Sequence, residues 1–102
     1  MFKSIYKKIA EDFAFLGDYD YRFEHDLPHH VRPSVVFRNS ESKLQIGYGH
    51  DEDKMYLLRY LSTDMLHYED LLISINILGR SYKDQVEQVK EVLLNYLTKN
   101  NI

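Results

Sequence analysis

The sequence predicts an α+β fold: an N-terminal helix, a four-stranded antiparallel meander and two C-terminal helices packed on one sheet face, all within a single domain spanning 1–102. Three observations predict it. Residues 33–61, PSVVFRNSESKLQIGYGHDEDKMYLLRYL, hold three short apolar runs separated by two polar turns. Apolar and polar residues alternate along much of that stretch, which is how a half-buried strand records its two faces. On either side, residues 2–16 and 81–97 set apolar residues three and four apart, the spacing of an amphipathic helix.

In the first helix, Phe2, Ile5, Ile9, Phe13 and Leu16 form the apolar stripe, and Gly17 offers the left-handed conformation that ends it. A membrane-surface reading of this helix is disfavoured, because Glu11 and Asp12 on its polar face would repel anionic lipid. Residues 18–27, DYDYRFEHDL, then alternate as a first strand. Tyr19, Tyr21, Phe23, His25 and Leu27 would face inward, and Asp18, Asp20, Arg22, Glu24 and Asp26 outward as an acidic face. Pro28 and Pro33 bracket a loop, since neither can donate a ladder hydrogen bond.

The second strand carries Val35 and Phe37 on one side, and Asn39-Ser40-Glu41-Ser42 turn the chain into a third. There Leu44, Ile46 and Tyr48 share a face, with Lys43, Gln45, Gly47 and Gly49 behind them; glycines so placed admit a close neighbour. The run Met55 to Leu61 is apolar on both faces, interrupted by Arg59, so one face meets a helix and the other is at least partly covered. Beyond it, Tyr68, Leu71, Leu72, Ile75 and Leu78 fit a helix over 65–78, capped by Ser62, Thr63 or Asp64 and ended by Gly79. Ile73, Ile75 and Ile77 leave a fifth strand as the alternative. In the last helix Ser81 caps toward Asp84, and Tyr82, Val86, Val89, Leu93, Tyr96 and Leu97 form the buried stripe.

An apolar fraction of 44%, a charged fraction of 28% and a net charge of −3 over 102 residues describe an ordinary globular chain with no basic tract for a phosphate backbone. No nucleic-acid partner is expected. The absence of cysteine excludes disulfides, thiolate zinc sites and cysteine nucleophiles. No stretch approaches the roughly 20 apolar residues needed to cross a bilayer, and Lys7, Lys8, Glu11 and Asp12 break up the uninterrupted run a secretion signal would need. The expected location is the cytoplasm, with no membrane partner.

Chemistry-bearing patterns are sparse. His25, His29, His30 and His50 could be imagined around a metal ion, which would make the chain a small metal-dependent hydrolase, but no helical-turn histidine pair fixes such a site. No serine sits in a glycine-flanked elbow, and Asp51, Glu52 and Asp53 lack the spacing of a calcium loop. The stronger signal is nine tyrosines, a residue that supplies contact area at low entropic cost. We therefore expect a non-enzymatic protein-interaction module without cofactor or metal, with Asp18, Asp20, Glu24, Tyr56, Tyr60 and Arg59 as candidate binding residues. Asp51, Glu52 and Asp53 would help the acidic residues steer a basic partner. A homodimer through the sheet is the third reading.

The order of helix, strand, PSVVFRN, KLQIGYG, KMYLLRYL and closing helices resembles a group of small uncharacterised bacterial α+β proteins and is similar to some immunity proteins of polymorphic toxin systems. The resemblance implies a bacterial cytosolic protein that binds and neutralises a cognate toxin domain without catalysis of its own. It carries over no site residues.

Overall fold

The computed structural model describes residues 4–73 and 80–100. The chain runs through α1 (Ile5–Asp12), a 3-10 helix (Ala14–Tyr19), β1 (Arg22–Leu27), β2 (Ser34–Arg38), β3 (Lys43–Gly49), β4 (Lys54–Tyr60), β5 (Tyr68–Asp70) and α2 (Tyr82–Asn100). The strands form one antiparallel sheet in the order β1-β2-β3-β4-β5. The α+β class and the meander follow the sequence expectation. The sheet has five strands rather than four, however, and one helix rather than two follows it among the described residues.

Cross-strand partners share a sheet face, so the register assigns the two sides. Val35, Ile46 and Leu57 form one row and Phe37 and Leu44 another on the same face, all buried. Against them pack Ile9, Phe13 and Leu16 from the N-terminal segment and Val86, Val89, Leu93 and Leu97 from α2. Each such side chain contributes about 1.5–3 kcal/mol by leaving water. Both helices therefore lie on one side of the sheet. They also meet each other: the Tyr82 hydroxyl donates to Asp12 Oδ2 at 3.0 Å, and Lys8 Nζ sits 4.2 Å from the Tyr82 ring centre. Burial, and then Asp12, raises the pKa of that phenol well above its ordinary value and keeps it a neutral donor.

Gln85, fully buried at the start of α2, ties the helix to the sheet. Met55 N donates to its Oε1 at 2.8 Å, while its Nε2 donates to the carbonyls of Asp53 at 2.6 Å and Arg80 at 3.0 Å. Ser81 Oγ accepts from Asp84 N at 3.2 Å, the cap its spacing predicts.

The expectations for the N-terminal third are corrected. The first helix ends at Asp12, and the chain tightens into the 3-10 turn before reversing at Asp20, whose φ is 72°. Tyr21 N donates to Leu16 O at 3.1 Å and Asp20 N to Gly17 O at 3.4 Å, so Asp20 takes the left-handed role that the sequence suggested for Gly17. The first strand consequently starts at Arg22, not Asp18, and Tyr19 and Tyr21 precede it. A bulge between Phe23 and His25 then exchanges the faces, which leaves Phe23 48% exposed beside Phe37 and moves His25 and Leu27 to the side away from the helices.

The helix expected over 65–78 is absent from its described part. Asp64 Oδ1 accepts from Leu66 N at 3.1 Å and from the Ser62 hydroxyl, and this turn leads into β5. Tyr68, Glu69 and Asp70 pair with Tyr60, Arg59 and Leu58. Ile75, Ile77, Leu78 and Gly79 lie outside the described residues.

Candidate functional site

Among the described residues no helix crosses the second face of the sheet. By register it carries Tyr56, Leu58 and Tyr60 on β4, Gln45 and Lys43 on β3, and Tyr68 and Asp70 on β5. It is built on glycine. A Cβ on Gly47 would stand 2.5 Å from Ser34 Oγ, and one on Gly49 3.1 Å from the Tyr56 ring. The side chains settle onto the bare backbone, as expected for glycines on one side of a central strand.

A chain of hydrogen bonds runs across the strands on this face. The Tyr60 hydroxyl donates to Gln45 Oε1 at 2.7 Å, Gln45 Nε2 to Ser34 Oγ at 3.1 Å, and Ser34 Oγ to Arg32 O at 3.1 Å. Nearby, Glu52 Oε1 accepts from the Tyr56 hydroxyl at 2.7 Å and from Arg32 Nη2 at 3.1 Å, with the Arg32 guanidinium 4.6 Å from the Tyr56 ring centre. The hydrogen bond from Tyr56, then that from Arg32, holds Glu52 below the usual carboxylate range. Burial raises both tyrosines above theirs. The result is a set of half-buried rings with fixed, neutral polar tips.

The bulge in β1 turns Glu24 into a counter-ion for this face. Arg38 Nη1 lies 3.2 Å from its Oε1, and Lys43 Nζ 3.0 Å and His25 Nε2 3.7 Å from its Oε2. Arg22 pairs with Arg38 in the ladder, so the β1 end of the face is rich in basic residues, of which Arg38 and Lys43 hold Glu24 directly. The outward acidic face expected of residues 18–27 does not form. Lys43, chiefly through its hydrogen bond, holds Glu24 below the usual range. A depressed carboxylate contributes stability above its unfolded pKa and loses it as protons bind the folded form. Stability should therefore fall as pH drops below about 4.3, and the fall should be smaller in Glu24→Gln; equal acid sensitivity in urea titrations would contradict the assignment.

The other candidates lie elsewhere. Arg59 pairs with Leu44 and Glu69 on the helix side, its guanidinium 5.5 Å from the Tyr96 ring centre and 3.4 Å from Glu69 Oε1. Asp18 is in the 3-10 helix, and Asp20, with Arg59, lines a polar cavity of about 230 Å³ at the start of β1. Asp51, Glu52 and Asp53 form the β3–β4 turn at the far end of β3, about 20 Å away for a strand of that length. The two acidic groups are thus not neighbours. Glu24, Tyr56 and Tyr60 share the uncovered face.

Sequence reasoning missed Leu58, Arg32, Tyr68 and the β4–β5 hairpin tip. Leu61, Leu66 and Tyr68 are 54%, 71% and 59% exposed, and the Tyr68 ring is 5.8 Å from that of Tyr60. The available signal was Ser62 and Asp64, which cap a turn as readily as a helix. Among the histidines, His29 Nδ1 accepts from Val31 N at 3.1 Å and Arg32 N at 3.0 Å, and its ring stacks on His30. His25 Nδ1 donates to Asp26 O at 2.7 Å, and His50 lies edge-on to Tyr48. No group of three or more histidine or carboxylate side chains among the described residues is placed to hold a metal ion. No described helix is long and apolar enough to cross a membrane.

No protein-family model, curated protein or solved structure matches the chain.

Proposed function

We propose that the chain is a non-enzymatic, cytoplasmic protein-binding module whose contact surface is the uncovered sheet face, and that it acts as an immunity protein, neutralising a toxin domain by docking that face against it. One observation carries the reading. Tyr56, Leu58, Tyr60 and Tyr68 sit on two adjacent strands with no described helix over them, and the exposed Leu61 and Leu66 lie in the hairpin tip that joins those strands. Contiguous apolar and aromatic surface of this kind marks an interaction site, and rings whose tips are already hydrogen-bonded lose little freedom on docking. The likeness to immunity proteins in the order of elements supports the choice of partner.

A toxin domain should be encoded beside the chain's gene, and the test is co-expression with it. Wild type should restore growth. Leu58→Asp should bind the domain about thirtyfold more weakly, since a charge buried at an interface centre costs at least about 2 kcal/mol. Its melting temperature should fall by no more than a few degrees, because Leu58 faces away from the core and the new carboxylate opposite Asp70 costs less than about 1 kcal/mol. Unchanged affinity in Leu58→Asp would remove this face as the contact surface. Failure of wild type to bind would remove the immunity reading.

A further inference from the structure

We propose that a pocket of about 380 Å³ at the β1–β2 loop, lined by Leu27, Pro28, His29, Arg32, Ser34 and Gln45, binds a carboxylate carried on a short apolar stem. The ligand group is a peptide's terminal carboxylate or a glutamate side chain. Its use by a partner rests on the docking reading of the same face; the chemistry of the pocket does not.

The donor set points to an anion. Because His29 Nδ1 accepts two backbone N–H groups, the ring proton of the neutral imidazole is on Nε2. Gln45 spends one amide hydrogen on Ser34 and its oxygen on Tyr60, which leaves its second hydrogen to donate. Arg32 carries five N–H donors, and its Nη2 is engaged by Glu52 from the β3–β4 turn. Ser34, 3% exposed and bonded on both sides, is a fixed polar wall, while Leu27 and Pro28 provide an apolar one.

None of the six lining residues is acidic. Other concavities differ in that respect. The one along α2 sets Asp84, Glu87 and Glu91 against Arg80 and Lys90, and the one beneath Arg59 sets Asp20 and Glu41 against that single cation, so acids outnumber bases on both walls and would repel an anion. The one between α1 and α2 holds Lys8, Lys83 and Lys90, but Asp12 and Glu87 stand on the same wall to compete for them. In the β1–β2 pocket Glu52 is the competing acid, and it acts by sharing Arg32 from outside the lining. A planar carboxylate suits the guanidinium fork, and an apolar stem suits Leu27 and Pro28.

The experiment is an amide NMR titration of the full chain with N-acetyl-leucine and with N-acetyl-glutamate amide, using N-acetyl-leucinamide and inorganic phosphate as comparisons. Saturable shifts confined to Val31, Arg32, Ser34 and Gln45 are expected with the carboxylates; which of the two binds more tightly identifies the source. Arg32→Gln should weaken binding about tenfold or more, as loss of a charge-assisted hydrogen bond requires. His29→Asn, which keeps an acceptor for the loop and removes the Nε2 donor, should weaken it severalfold. Equal response to leucinamide, tighter binding of phosphate, or indifference to Arg32→Gln would each overturn the proposal. The titration needs no partner, so its failure removes the pocket alone, whereas retained toxin binding in Leu58→Asp removes the docking surface alone.

Discussion

Gln85→Leu should lower the melting temperature by roughly 12–24 °C, at about 4–8 °C per kcal/mol for a domain of this size. The leucine fills similar space, so the loss is polar. Met55 N and the carbonyls of Asp53 and Arg80 lose their partner, and stranding buried groups of this kind costs about 1–3 kcal/mol for each one that water cannot reach. We take about 3 kcal/mol in total. Gln85→Glu should be no better, because it keeps an acceptor for Met55 N but turns a carboxylate toward two carbonyl oxygens. Circular dichroism melts measure the loss, and hydrogen exchange at Met55 locates it. A drop below about 4 °C would mean that Gln85 is not what joins α2 to the β3–β4 turn.

Gly47→Ala should cost about 2 kcal/mol, although alanine elsewhere in a strand would gain a few tenths by restricting the unfolded chain. The added Cβ meets Ser34 Oγ at 2.5 Å, the Pro33 carbonyl at 3.2 Å and Ser34 Cβ at 3.3 Å. Ser34 can yield only by abandoning Gln45 and Arg32 O, which breaks the chain of hydrogen bonds across the uncovered face. Strain that passes through the Ser34 hydroxyl is relieved by removing it. In Gly47→Ala with Ser34→Ala, the two losses should fall short of their sum by about 1 kcal/mol in urea denaturation. Strict additivity would show that the backbone contact dominates.

The strands of the middle third were legible because each buries one face, and burial of Leu44, Ile46, Met55 and Leu57 imposes the odd-even pattern directly. The last helix was legible for the same reason at its own period. β1 misled because its alternation runs straight through the bulge: residues 19–27 look regular, yet the first three of them precede the strand and the extra residue at Glu24 exchanges the faces. β5 left no trace in the pattern. Tyr68, Glu69 and Asp70 form a strand by pairing with β4, and the sequence of a three-residue edge carries no burial period. Gln85 escaped because polarity hides a core position in any hydrophobicity reading. Tyr56 and Tyr60 were legible as candidates, but the face they belong to was not legible as free of a helix, since Val36, fully buried there, and Leu58 read like the inner side of a covered sheet.

The account turns on that face being open while its opposite is packed, and the adjacent residues Leu57 and Leu58 report on the two sides. Methyl-labelled protein, titrated with a soluble nitroxide, measures both at once. The Leu58 methyls should broaden strongly and the Leu57 methyls hardly at all. Equal protection of the two in the isolated chain at micromolar concentration would mean that a helix or a second copy already covers the surface, and would contradict the account.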